Sequence, residues 1–223
     1  MRKAFIFDMD GLLIDSERRL LACMLAAAPA DCDHAALERA VRDTIGMTNA
    51  GVESVIAARM GEGFDLPACI RRAEALYFQR LEAEGVPVKP GARALLAHLA
   101  AGGYRLGLAS SSPRRLVERQ LGGAGLLDRF AVVISGDMVE NGKPAPDIYL
   151  LACERLGIAP GEAYAVEDAP KGVLSAAAAG LAALMVPDLA PATAALRRRC
   201  HAVFQDLNEL LRWVKTCESN ESE

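Results

Sequence analysis

The six cysteines, at positions 23, 32, 69, 153, 200 and 217, include no CxxC pair, and none stands with histidine at zinc spacing. That speaks against a structural zinc site. The thiols read as reduced and mostly buried, in a cytoplasmic protein. There is no apolar run long enough to span a bilayer; the longest Ala-rich stretch, Ser175 to Val186, contains a glycine. No secretory leader is expected ahead of the first apolar strand. Positive charge is not in excess either. A net charge of −4 gives no general affinity for nucleic acid. The basic run Arg197-Arg198-Arg199 reads as a solvated helix end. Nothing reads as a dimer seam, so a monomer without membrane or nucleic-acid partners is expected.

What is present is an ordinary globular composition, 52% hydrophobic and 24% charged over 223 residues. That suffices for one large domain, or for a domain with an insertion. The organising stretch is Phe5-Ile6-Phe7-Asp8-Met9-Asp10-Gly11. An apolar strand, Ala4 to Phe7, ends in two acids one residue apart. Alternate side chains of an extended chain share a side, so Asp8 and Asp10 point together. Gly11 lets the chain turn at once. Carboxylates at the carboxyl end of a first strand lie where open α/β sheets bind ligands. By itself, DxDG is equally a polar turn.

From Ser16 to Gly85 the pattern is helical. Leu20, Leu21, Met24 and Leu25 recur at helical spacing, with Asp15 or Ser16 available as a cap. Further helices are expected at 34–44, 50–60 and 66–84. No convincing strand interrupts them, so 16–85 reads as a small all-helical insertion. After the linker Gly85–Gly91, strands and helices alternate. Strands are expected at Tyr104–Ala109, Ala131–Ile134, Ala163–Val166, Leu181–Val186 and Ala202–Phe204. Helices are expected at 92–101, 113–121, 146–156, 170–179 and 206–216, with Gly122-Gly123 stopping the second. The fold is therefore an α/β, Rossmann-like parallel sheet with helices on both faces and a helical insertion after the first strand. The sheet domain takes 1–15 and 86–217, and the polar residues 218–223 form a frayed tail.

Several strand ends are polar. Ser110-Ser111-Ser112-Pro113 follows the second strand; Ser112 then Pro113 is explained as a helix cap with a first-turn proline, but Ser110 at the strand tip is not. Gly142-Lys143-Pro144-Ala145-Pro146-Asp147 enters a helix through prolines that aim Lys143 along a fixed path. A Walker A loop is excluded, because Pro144 occupies the Ser/Thr position and the Gly136-to-Gly142 spacing is too long. Glu167-Asp168 ends another strand at a helix start, where acids also suit the helix dipole. The conjunction of acids, hydroxyl, lysine and acids, each at the same end of a different strand, points to one site.

Together FDMDGLLIDS, LASSS, GKPAPDIY and VEDAPKGV resemble the four motifs of the haloacid dehalogenase-like hydrolase superfamily. The helical insertion resembles the cap of its beta-phosphoglucomutase-like branch. The resemblance implies a magnesium-dependent phosphatase acting on a small phosphorylated metabolite, a phosphate monoester of sugar-phosphate or nucleotide type, through an aspartyl-phosphate on Asp8. Asp8, Asp10 (by its backbone carbonyl) and Asp168 would hold Mg²⁺, with Glu167 assisting. Lys143 would offset charge and Asp10 would act as general acid and base. Ser110 and Ser111 would hold the transferring oxygens. Thr48 and Asn49, in the loop Gly46-Met47-Thr48-Asn49, would touch substrate. Asp15 falls to hinge and capping work.

Relatives with other chemistry are less well matched. Haloacid dehalogenases generally lack the second acid, and Asp10 is present. Phosphonatases use a cap lysine, and residues 16–85 contain none. Beta-phosphoglucomutases carry a cap histidine and arginine where Leu20 and Asn49 stand. Neither replaces them chemically, but Arg18, Arg19, Arg42 and Arg59 are other cap arginines able to substitute, so a phosphosugar mutase is demoted and stays the alternative. A non-catalytic binding domain would be expected to lose an acid or the lysine.

Overall fold

The structure is a computed structural model that describes residues 2–44, 49–61 and 63–221. The chain divides into two compact units, Met1–Asp15 with Val86–Glu223, and Ser16–Gly85. The chain opens with β1 (Ala4–Phe7). The second unit follows, with α1 (Ser16–Ala27), α2 (His34–Asp43), α3 (Asn49–Met60) and α4 (Leu66–Glu84). The first unit then resumes with α5 (Ala92–Ala101), β2 (Arg105–Ala109), α6 (Arg114–Gly123), β3 (Val132–Ile134) and α7 (Asp147–Leu156). It ends with β4 (Ala163–Glu167), α8 (Pro170–Ala178), β5 (Ala182–Met185), α9 (Ala194–Arg197), β6 (Ala202–Val203) and α10 (Leu207–Glu221).

All six strands are parallel, in the order β3-β2-β1-β4-β5-β6. β1 is therefore central, which is why all four of its residues are apolar and fully buried. Its alternation separates the two layers. Phe5 and Phe7 face a core built with Leu95, Leu99, Val117 and Leu210; Ala4 and Ile6 face one built with Ile148, Tyr149, Ala152 and Val173. Burying each large side chain contributes about 1.5–3 kcal/mol. The second face is lined by small residues, Ala4, Ala163, Ala165 and Ala183, beneath α7 and α8.

Helices are the regular elements of the smaller unit among its described residues, with α1 packed along α4 and α2 against α3. Asp33 and Asp65 cap α2 and α4 by accepting from the Ala36 and Ala68 amides, each at 2.9 Å. Leu21, Met24, Leu37, Ile56, Ala73 and Tyr77 are among its buried side chains. The two linkers pair as a short antiparallel ribbon. Ile14 bridges Val88, and the Asp15 amide donates to Pro87 O at 2.8 Å. Asp15 takes part in this ribbon, its carboxylate 3.5 Å from Lys89, which also reaches Asp188 at 2.8 Å.

Two expectations about helix ends need correction. α6 runs through Gly122 and Gly123, and the stop lies two residues later. Gly125, at φ 62, closes the end: the Leu126 amide reaches back to Leu121 O at 2.9 Å, and burial of Leu121 and Leu126 ties the turn to the core. The residues from 218 onward are not a frayed tail as far as they are described. α10 continues to Glu221, and Glu218 lies 2.9 Å from His98 on α5. The polar composition there masked a helix already anchored by Leu207, Leu210 and Val214.

Candidate active site

The carboxyl ends of β1, β2 and β4 meet at the middle of the sheet. Asp8 continues the β1 ladder, its amide donating to Val166 O at 2.9 Å. It shares the side of Ala4 and Ile6, the face covered by α7 and α8. Met9 is wholly buried on the other side, and Asp10 returns to the side of Asp8. Gly11 then turns at φ 78, a left-handed value that a side chain would strain. The alternation of β4 likewise sends Ala163, Ala165 and Glu167 to the Asp8 side.

Lys143 sits at the centre. Its ammonium donates to Asp8 Oδ1 at 2.6 Å, Glu167 Oε1 at 2.6 Å and Ala109 O at 2.8 Å. An ammonium has three N–H bonds, and all three are used. Burial by itself would lower the lysine pKa. The adjacent Asp8 and Glu167 charges and the hydrogen bonds to them outweigh this and raise it. The surface-turn reading of this lysine is thereby excluded, since its side chain is 5% exposed.

Asp8, Glu167 and Asp168 are all buried, and one carboxylate oxygen from each lies within 4.8 Å of the others. Burial pushes the Glu167 carboxyl up to about 7, against the pull of the Lys143 cation, with Asp8 adding to the rise. This has a consequence for stability. With the folded pKa above the unfolded value, between about 4.5 and about 7 the fold holds a proton that the unfolded chain has released. Stability therefore falls as pH rises through that window. In metal-free buffer, thermal melting is expected to drop from pH 5 to pH 8, and Glu167→Gln should flatten the drop. A melting temperature that rises over this range in wild type would contradict the assignment.

The serine loop departs from expectation. Ser112 is not the cap of α6, which begins at Arg114. Asp137, from the loop after β3, accepts from the Arg114 amide at 3.1 Å and fills that role. The Ser112 hydroxyl instead donates to Asp10 Oδ2 at 2.8 Å. Ser110 is fully buried at the strand tip, and its hydroxyl oxygen accepts from the Ser112 amide at 3.1 Å. Ser111 is exposed at the loop tip. Its carbonyl lies where a side chain on Gly136 would begin: a Cβ there would stand 2.2 Å from it, so this close passage of two loops requires glycine.

Two further residues went unsingled in the sequence. Tyr149, on α7, donates its hydroxyl to Glu167 Oε1, and its ring centroid lies 5.1 Å from the Lys143 ammonium. Gly172, at the start of α8, leaves the space that the Glu167 carboxylate fills; a Cβ would be 1.9 Å from Glu167 Cδ. The signal for Tyr149 was its place as the last residue of GKPAPDIY, in the first turn of the helix after the lysine loop. Thr48 lies outside the described residues, as do Gly46 and Met47. Of Asn49 only the backbone is described, as the first residue of α3.

The carboxyl edge of this parallel sheet thus holds three buried carboxylates, two of them on Lys143, at the place where open α/β sheets bind ligands. The chain belongs to the haloacid dehalogenase-like hydrolases: the model of that family matches residues 2–180. Among curated relatives, hexitol phosphatase A of Escherichia coli (strain K12) is 34% identical over 192 residues, covering 80% of each chain. A phosphoglycolate phosphatase of Rhodospirillum rubrum is 31% identical over 222 residues, 96% of this chain and 91% of that one. Among solved structures, CbbY from Rhodobacter sphaeroides in complex with phosphate superposes with a TM-score of 0.72 at 28% identity, over 94% of this chain and 96% of that one. Within the family this chain stands with the phosphatases. No helix among the described residues is long and apolar enough to cross a membrane.

Proposed function

We propose that the protein is a magnesium-dependent phosphatase that hydrolyses small phosphate monoesters of the sugar-phosphate type through a phosphorylated Asp8. The observation that carries this reading is the buried constellation of Asp8, Lys143, Glu167 and Asp168. A nucleophilic carboxylate, a fixed cation and further acids within one ligand radius have little use in a purely structural core.

The donor set suits Mg²⁺, a hard cation that takes oxygen ligands and few carboxylates. Asp8, Asp168 and the backbone carbonyl of Asp10 would hold it, with Glu167 beside them. Bound there, Mg²⁺ supplies positive charge to the phosphoryl oxygens and relieves repulsion between substrate and carboxylate. The remaining steps belong to the chain's own residues. Asp8 attacks phosphorus in line and becomes the acyl-phosphate, splitting hydrolysis into two easier displacements. Lys143 keeps Asp8 ionised and offsets charge on the transferring group. Asp10 gives a proton to the leaving alcohol oxygen and later takes one from the attacking water. The Ser112 hydroxyl donates to Asp10 Oδ2 and so orients that carboxyl for the transfer. The Ser110 hydroxyl and Ser111 beside it hold the equatorial oxygens.

Sugar phosphates are favoured because one similar protein is named hexitol phosphatase A and another, a D10N mutant of CbbY, was solved in complex with xylulose-(1,5)bisphosphate. The testing experiment is a panel of phosphate monoesters, including hexitol, pentose and glycolate phosphates, with and without Mg²⁺. Release of inorganic phosphate that needs Mg²⁺ and favours a sugar or polyol phosphate is expected. Isomer interconversion dependent on a bisphosphate, with little phosphate released, would replace this reading by a mutase. An inert protein would leave a binding domain.

A further inference from the structure

We propose that Tyr149 is a positioning residue that commits Glu167 to the metal site through its single remaining oxygen. This rests on the magnesium reading above. The argument is one of counting. Glu167 Oε1 accepts from the Tyr149 hydroxyl and from Lys143 Nζ, the latter at 2.6 Å. A carboxylate oxygen offers two in-plane lone pairs, and both are spent. The Lys143 ammonium has used its other two N–H bonds on Asp8 Oδ1 and Ala109 O. It cannot hold Glu167 more firmly alone. Tyr149 supplies the second fixed point, and a carboxylate held at two points on one oxygen cannot turn.

The surroundings make this a built arrangement. Tyr149 is among the largest fully buried side chains of the protein, so its hydroxyl is placed by packing and not by solvent. Its ring also lies near the lysine ammonium, steadying the second donor. Across the carboxylate, Gly172 leaves the volume in which Glu167 sits. The consequence is that only Oε2 is available to a cation shared with Asp8 and Asp168. Groups that orient a metal-binding carboxylate typically change metal affinity by about 10–100-fold when removed.

The test is Mg²⁺ binding without substrate, by isothermal titration of wild type, Tyr149→Phe, Glu167→Gln and the double variant. Tyr149→Phe keeps the ring in the core; Tyr149→Leu is the second variant, should the first fail to fold. The expected result is Mg²⁺ binding weakened by roughly tenfold in Tyr149→Phe. In the Glu167→Gln background the same change should have no further effect, because the hydroxyl acts through that carboxylate. Unchanged Mg²⁺ affinity in both tyrosine variants would overturn the inference and leave the phosphatase reading standing. So would an equal loss with and without Glu167, which marks a merely structural role. Absence of Mg²⁺ binding in wild type would overturn the metal reading and this inference together.

Discussion

Asp8→Asn is expected to abolish phosphate release while the protein still melts close to the wild-type temperature. Asparagine matches aspartate in size, so the packing around the end of β1 is retained, and Lys143 keeps Glu167 as its buried counter-charge. What is lost is the charge that attacks phosphorus. A neutral amide is a poor nucleophile, and it no longer presents a full anion to Lys143 Nζ, 2.6 Å from Asp8 Oδ1. Removal of an attacking group in a covalent mechanism costs on the order of 10⁴-fold or more in kcat. Steady-state assay with p-nitrophenyl phosphate at fixed Mg²⁺ measures it, with circular dichroism as the control for folding. Activity within a few-fold of wild type would remove Asp8 from the nucleophile's role.

Lys143→Met is expected to damage both activity and stability. The methionine fills similar space but leaves Asp8 and Glu167 facing each other in a buried site without their shared cation. Removing one partner of a buried ion pair costs about 3–5 kcal/mol, because the other charge is left uncompensated. Loss of a cation aimed at the transferring group lowers kcat by about 10²–10³-fold. The pH dependence gives the sign. At pH 5 Glu167, whose carboxyl is pushed up to about 7, is largely protonated, so less charge is left unpaired. The fall in melting temperature relative to wild type should therefore be smaller at pH 5 than at pH 8 in metal-free buffer. Melting curves of both proteins at both pH values measure this. A variant that melts and turns over like wild type would return Lys143 to a minor role.

Strong local patterns made much of this molecule legible in its sequence. β1 is a short apolar run between polar ends, and its central place follows from burial on both faces. The acids at 8, 10, 167 and 168 stand at strand ends, where alternation dictates their side. Lys143 was readable because Gly142 and Pro144 bracket it. What stayed hidden depends on distant partners. Ser112 satisfies every local rule for a helix cap, and only Asp137, arriving from another loop, shows that the cap is supplied elsewhere. Tyr149 looks like any core aromatic of α7 until β4 brings Glu167 beneath it. Gly172 is one glycine among many until the carboxylate opposite is placed. The end of α10 was missed because polar composition predicts fraying only when nothing holds the last turns, and His98 meets Glu218 there.

The central claim is that Asp8 carries the phosphoryl group during turnover. The direct measurement is rapid acid quench of wild type mixed with substrate and Mg²⁺, followed by peptide mass analysis. The account predicts that the peptide containing Asp8 gains the mass of one phosphoryl group at early times, and that Asp8→Asn shows none. Turnover at the normal rate with that peptide unmodified at every time point would contradict it.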